Sequence, residues 1–157
     1  MTISAADQLK TARELNLGPV IARYCAHQNE TPERAERIAD ELRHFLVLCV
    51  RSSRRGYAIR DPIDEMWHTF LLFTKHYFHF CHSLGKRYIH HEPVGDRNDA
   101  EAGKRRLESY EQLLKDYEQT FGYPAPADIW PASSMQIMSG SDCGADCSYY
   151  PPCCNKD

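Results

Sequence analysis

The 157-residue sequence contains no uninterrupted apolar stretch near the ~18 residues that a membrane-spanning helix requires. Its start, Met1-Thr2-Ile3-Ser4-Ala5-Ala6-Asp7, lacks a basic region followed by an apolar core. No secretory signal is therefore expected, and the default compartment is the cytosol. Charge of one sign is also missing. With 19 Lys and Arg against 22 Asp and Glu, the net charge is −3. That gives no global argument for nucleic acid and none for attachment to a membrane by charge alone. No helix carries a basic face with helix-turn-helix spacing. The phosphate-cradling patterns G-x-G-x-x-G and G-x-x-x-x-G-K-[ST] do not occur, nor do G-x-S-x-G and H-E-x-x-H. Strand-like alternation and fixed-period repeats are lacking too.

What the chain has is helical periodicity. Residues up to about His27 read as helix, interrupted near Gly18-Pro19, where proline suits a new first turn. Thr31-Pro32-Glu33 is a start signal: a capping hydroxyl, a proline at the first helical position and an acid at the positive end. The following helix should run to about Arg51. Its buried face is Ile38, Leu42, Phe45, Leu46 and Cys49. Asp61-Pro62 should open another helix by the same capping logic and carry it to Gly85. Ile63, Trp67, Phe70, Thr74, Tyr77 and Cys81 form its apolar face. A further helix is expected from about Asn98 to Thr120, with Leu107, Tyr110, Leu114 and Tyr117 on one stripe. Gly122-Tyr-Pro-Ala-Pro should stop it, and Trp130 of Asp128-Ile-Trp-Pro131 should pack back on the bundle. The fold class is all-α, a bundle of four to five helices over residues 1–131, with a flexible Cys-rich tail over 132–157. The connector from Ser52 to Arg60, with Arg51, Arg54, Arg55 and Arg60 in it or at its edge, reads as a solvated charged loop. A small anion or an acidic partner is the alternative for it.

Histidine and cysteine are concentrated. Six of the eight histidines lie from His68 to His91, and four of the seven cysteines follow residue 142. Asp64 and His68 are four apart on a helix and share a face, with Trp67 turned to the core. A carboxylate beside an imidazole can orient it or join it on a metal. His79 and His82 lie too far along for the same site, since fourteen residues of helix span about 21 Å. They are expected in solvent, like His76. The chain after Gly85 is long enough to return toward His68. Asp64, His68 and one of His90 or His91 would then form a two-histidine, one-carboxylate set suited to zinc or non-haem iron.

Cys25 and Cys49 read as small core residues. Cys143, Cys147, Cys153 and Cys154 form C-x3-C-x5-C-C, which suits a soft ion such as zinc or copper(I) in a reducing compartment. The odd total of seven argues against a complete intrachain disulfide framework.

The run Asp64-x-x-Trp67-His68-x-x-x-Leu72-x-Thr74-x-x-Tyr77-x-x-Phe80-Cys81, with Gly85 and Ile89-His90-His91-x-Pro93, resembles a poorly characterised helical family of small bacterial proteins. The plant glycine-rich domain proteins belong with it. Phe121-Gly122 and Pro126-x-Asp128-Ile129-Trp130-Pro131 are similar to its bacterial branch. The resemblance covers roughly residues 60–131. It implies an all-helical domain without an established reaction, and singles out Asp64, Trp67, His68, Cys81, His90 and His91.

The expected function is a metal-binding helical protein of unassigned reaction. Asp64, His68, His90 and His91 are its candidate ligands in the bundle, and Cys143, Cys147, Cys153 and Cys154 in the tail. The metal would be zinc, copper or iron. Three alternatives remain: an interaction or scaffold module that docks a protein through the tail, a metal-dependent enzyme, or a partner or substrate in peptide modification. Nucleic acid and a membrane span are not expected.

Overall fold

The computed structural model describes residues 3–53, 56–85, 88–93 and 98–132, together with the backbone of 144–146. Six helices occupy most of them: α1 (Ala5–Glu14), α2 (Gly18–Gln28), α3 (Pro32–Arg51), α4 (Ile63–Leu71), α5 (Thr74–Gly85) and α6 (Ala100–Phe121). The class is all-α. Three extended pieces, β1 (Tyr57–Ala58), β2 (His90–Glu92) and β3 (Gly144–Asp146), pair antiparallel in the order β1-β3-β2.

The helix ends follow local chemistry. The Ser4 hydroxyl accepts the Asp7 amide, Thr31 accepts that of Arg34, and Asp99 accepts those of Glu101 and Ala102. Each satisfies amides that the first turn leaves without partners. Gly122 ends α6 at φ 81°, a left-handed conformation in which a Cβ would be strained.

α3 is the central helix and packs against all five others. Residues 41–49 are buried without interruption, so its middle has no solvent face. The expected single stripe is therefore too narrow, because the polar residues between also found partners. Glu41 accepts the Tyr117 hydroxyl at 2.9 Å and the Trp130 indole N–H at 2.8 Å. Arg43 donates to the Ala12 and Leu15 carbonyls at the end of α1. His44 lies between the Asp40 carbonyl (2.8 Å) and the Tyr123 hydroxyl (2.9 Å). Burial and the neighbouring Glu41 push the Tyr117 phenol far above its ordinary value.

Asp128 explains why the segment before Pro131 folds back. Arg37 grips its carboxylate with two bonds of 2.7 and 3.0 Å, and Arg34 donates to its carbonyl. Trp130 is thereby held over Glu41 and buried, as expected.

Several expectations need correction. The helix expected from Pro62 to Gly85 is two helices, which makes six in all. At Leu72 and Phe73 the chain tightens, with amides bonding back three residues to Thr69 and Phe70. The turn lets Tyr77 and Phe80 meet the Phe70 ring edge-on at 5.1 and 5.4 Å. Thr74 opens α5 exposed rather than joining the apolar face. Asp61 does not cap α4: Pro62 occupies that position without a side-chain bond, and the Arg60 and Pro62 carbonyls take the first amides. On α6, Leu113 is the buried leucine, while Leu107 and Leu114 are half-buried. Arg60 is not solvated but buried, at 2% exposure.

Cys49 and Cys81 are buried and Cys25 is half-buried, and none of the three is in a disulfide. Among the described residues, no helix is long and apolar enough to cross a membrane.

Candidate metal centre

Asp64 sits in the first turn of α4, completely buried, and His68 follows one turn later at the surface edge. The chain leaving α5 returns as β2 and brings His91 to the same place. The His91 Nε2 lies 2.7 Å from Asp64 Oδ1, and the His68 Nε2 lies 3.7 Å from the same oxygen. The two imidazole rings tilt against each other with centroids 4.5 Å apart. One donor atom from each of Asp64, His68 and His91 falls within 4.8 Å of the others.

Buried hydrogen bonds set the return path. The Trp67 indole N–H donates to the Tyr77 hydroxyl at 3.1 Å, and that hydroxyl donates to the Ile89 carbonyl at 2.5 Å. One phenol therefore fixes the strand two residues before His91. Burial raises the Tyr77 phenol well above its ordinary value, so it keeps its proton and remains a donor. The Trp67 ring also supports the His91 ring, at a centroid distance of 4.4 Å. The second His68 nitrogen, Nδ1, faces Glu65 Oε1 at 3.5 Å, and Gln28 of α2 donates to the other Glu65 oxygen.

The donor set fits a small divalent ion. Bonds of about 2.0–2.2 Å place tetrahedral donors roughly 3.3–3.6 Å apart. The 3.7 Å from His68 to Asp64 is near that spacing, while the 2.7 Å from His91 to Asp64 would have to open. The His68 side chain is 37% exposed and that of His91 6%, so the group is open to solvent on the His68 side alone.

Of the residues expected to converge, Asp64, His68 and His91 lie together. His90 lies outside the group, its ring 4.9 Å from that of Tyr88. Adjacent residues of a strand point to opposite sides, which accounts for the split. His76, His79 and His82 are exposed on α5. Cys143, Cys147, Cys153 and Cys154 lie outside the described residues. Sequence reasoning missed Glu65 and Tyr77 as site residues. The signal for Glu65 was its three-residue spacing from His68, whereas nothing local marked the Tyr77 contact with Ile89.

No curated protein and no solved structure matches this chain. A family model described as UCP032817-like matches residues 11–113, which include the whole Asp64, His68 and His91 group. The chain belongs to this uncharacterised UCP032817-like family.

Proposed function

We propose that the protein binds a divalent transition metal through Asp64, His68 and His91. The observation that supports this reading is the convergence of three donor atoms, one of them on a completely buried carboxylate, beside a solvent-open edge. Two imidazoles and a carboxylate suit zinc or iron and leave positions open for a further ligand. When bound, the ion would supply Lewis acidity there. The chain's own part is to hold the donors: Tyr77 fixes the strand of His91, and Glu65 orients His68.

The cysteines of the tail form a second, softer site in this reading, for zinc or copper(I). The tail follows the helical domain of residues 1–131 and is also the segment open to a protein partner. The lack of a disulfide at Cys25, Cys49 and Cys81 accords with a reducing, cytosolic compartment. The likeness to plant glycine-rich domain proteins belongs to the same reading.

Elemental analysis of the purified full-length protein tests it. A variant with all four tail cysteines changed to Ser should keep about one equivalent of metal by this ligand set. His68→Ala and His91→Ala should each lower that content. Full occupancy in the His68→Ala/His91→Ala double variant, with the tail cysteines also removed, would discard the site. One observation favours a structural reading instead: the hydrogen bond from His91 to Asp64 is already complete without an ion. In that case metal content would ignore both histidines, and only stability would respond.

A further inference from the structure

The strand that carries His91 has its sheet partner from the far end of the chain. Among the described residues, β2 pairs with β3 alone, and β3 lies between β1 and β2. Along the backbone, His90 pairs with Asp146, His91 with Ala145 and Glu92 with Gly144. On its other edge β3 pairs Ala145 with Tyr57 and Gly144 with Ala58. The middle residue of β3 is thus opposite a candidate metal ligand on one side and β1 on the other.

β1 is itself fixed to α6. The Ala58 amide donates to the Ser109 hydroxyl at 2.9 Å, and the Tyr57 hydroxyl donates to the Asp116 carboxylate at 2.7 Å. β3 therefore ties the strand of His91 to α6. From the other direction, Tyr77 holds the Ile89 carbonyl, and Asp64 and Trp67 touch the His91 ring. None of these three contacts engages the backbone of residues 90–92, whereas the β3 ladder does. A strand of three residues needs such a partner to keep its conformation. Supports of this kind, outside the ligands themselves, are worth about 10–100-fold in metal affinity.

We propose that β3 regulates the metal centre, an inference that rests on the metal reading of Asp64, His68 and His91. Seated, the strand fixes the register that brings His91 to Asp64. Withdrawn, it frees His91 and leaves the ion to Asp64 and His68 of α4, two donors in place of three. The tail then acts on the site through its backbone, with none of its side chains among these ligands.

The test uses the full-length protein with the four tail cysteines changed to Ser, so that zinc reports the bundle alone. In that background, Gly144→Pro/Ala145→Pro removes two successive amides. They point to opposite edges of the strand, so both ladders lose a bond. In the metal-free protein, the amides of residues 90–92 should exchange severalfold faster, while those of α3 keep their rates. Zinc affinity, read by competition with a chromophoric chelator, should fall about 10–100-fold. Lys156→Pro, outside the strand, should change neither. Unchanged zinc affinity in the double-proline variant would overturn the regulation and leave the metal reading standing. So would faster exchange spread equally through α3, which marks loss of the bundle, or an equal fall in affinity with Lys156→Pro. Zinc held just as tightly after His68→Ala/His91→Ala would overturn the metal reading, and the regulation with it.

Discussion

The two imidazoles beside Asp64 differ in burial, and removing them should have different effects. His91 is nearly enclosed and hydrogen-bonded to a carboxylate with no exposure at all. His91→Ala leaves that carboxylate short of a buried partner and should destabilise the metal-free protein by about 1–3 kcal/mol. His68, at the surface edge, should lose little stability when changed to Ala. Urea titration of both variants after chelation measures the difference, and equal losses would contradict the burial argument. Tyr77→Phe is more informative still. It strands the Trp67 indole N–H and the Ile89 carbonyl together, so it should cost about 1–3 kcal/mol. It should also weaken metal binding without touching a ligand, because the strand of His91 loses its anchor. Trp67→Ala, which empties the site between α4 and β2, should cost about 3–5 kcal/mol.

Helices show where sequence was sufficient and where it was not. Thr31 caps the next turn with its hydroxyl, and Pro32 and Gly122 act through their own backbone, so the start of α3 and the end of α6 were legible from a few residues. Thr31→Ala should cost about 1 kcal/mol. Gly122→Ala should cost a similar ~1 kcal/mol, since its φ of 81° disfavours a Cβ. Thermal unfolding of the two variants checks both. The break between α4 and α5 was not legible, because Phe70-Leu71-Leu72-Phe73 offers no glycine or proline to mark it. It follows from ring packing of Phe70 on Tyr77 and Phe80, which exists only after folding. The burial of Glu41, Arg43, His44 and Arg60 was hidden for the same reason. Each is polar in the sequence, and each has a partner supplied by a helix or segment remote in the chain. For the candidate site, Asp64 and His68 were legible from their spacing. The choice of His91 over His90 depended on the register of β2, which the Tyr77 hydroxyl sets from outside the strand.

At the scale of the whole molecule, tyrosines and acids bound the pH range of stability. Burial, with nearby acids, raises the Tyr24 phenol to about 12. Burial also raises Tyr57, Tyr77, Tyr117 and Tyr123. A phenol raised in the folded state contributes stability that is complete below the unfolded value near ~10 and is lost as pH rises toward the folded value. The protein should therefore unfold cooperatively in alkali, and the phenolate absorbance should appear together with loss of helical dichroism. Titration of the buried Tyr24, Tyr57, Tyr77 and Tyr117 ahead of unfolding would contradict this. On the acid side, burial pushes Asp40 up, but Arg13, His44 and Arg43 outweigh it and hold it below its ordinary value. Arg37 does the same for Asp128. Their contribution is present above the unfolded carboxyl range near ~4 and is lost as pH falls through the folded values. Both pairs are exposed enough that added salt should shrink the acid limb.

The contact between Asp64 and His91 joins positions 27 residues apart, and all of α5 lies between them. An ion held by both residues would act as a cross-link, limiting how far that loop can expand when the rest of the chain opens. Its effect should be uneven. In hydrogen exchange, the amides of α5 should slow on metal addition by more than those of α1 and α2, which lie outside the loop. Binding at this one point would then divide the bundle into a clamped half and a half that opens first.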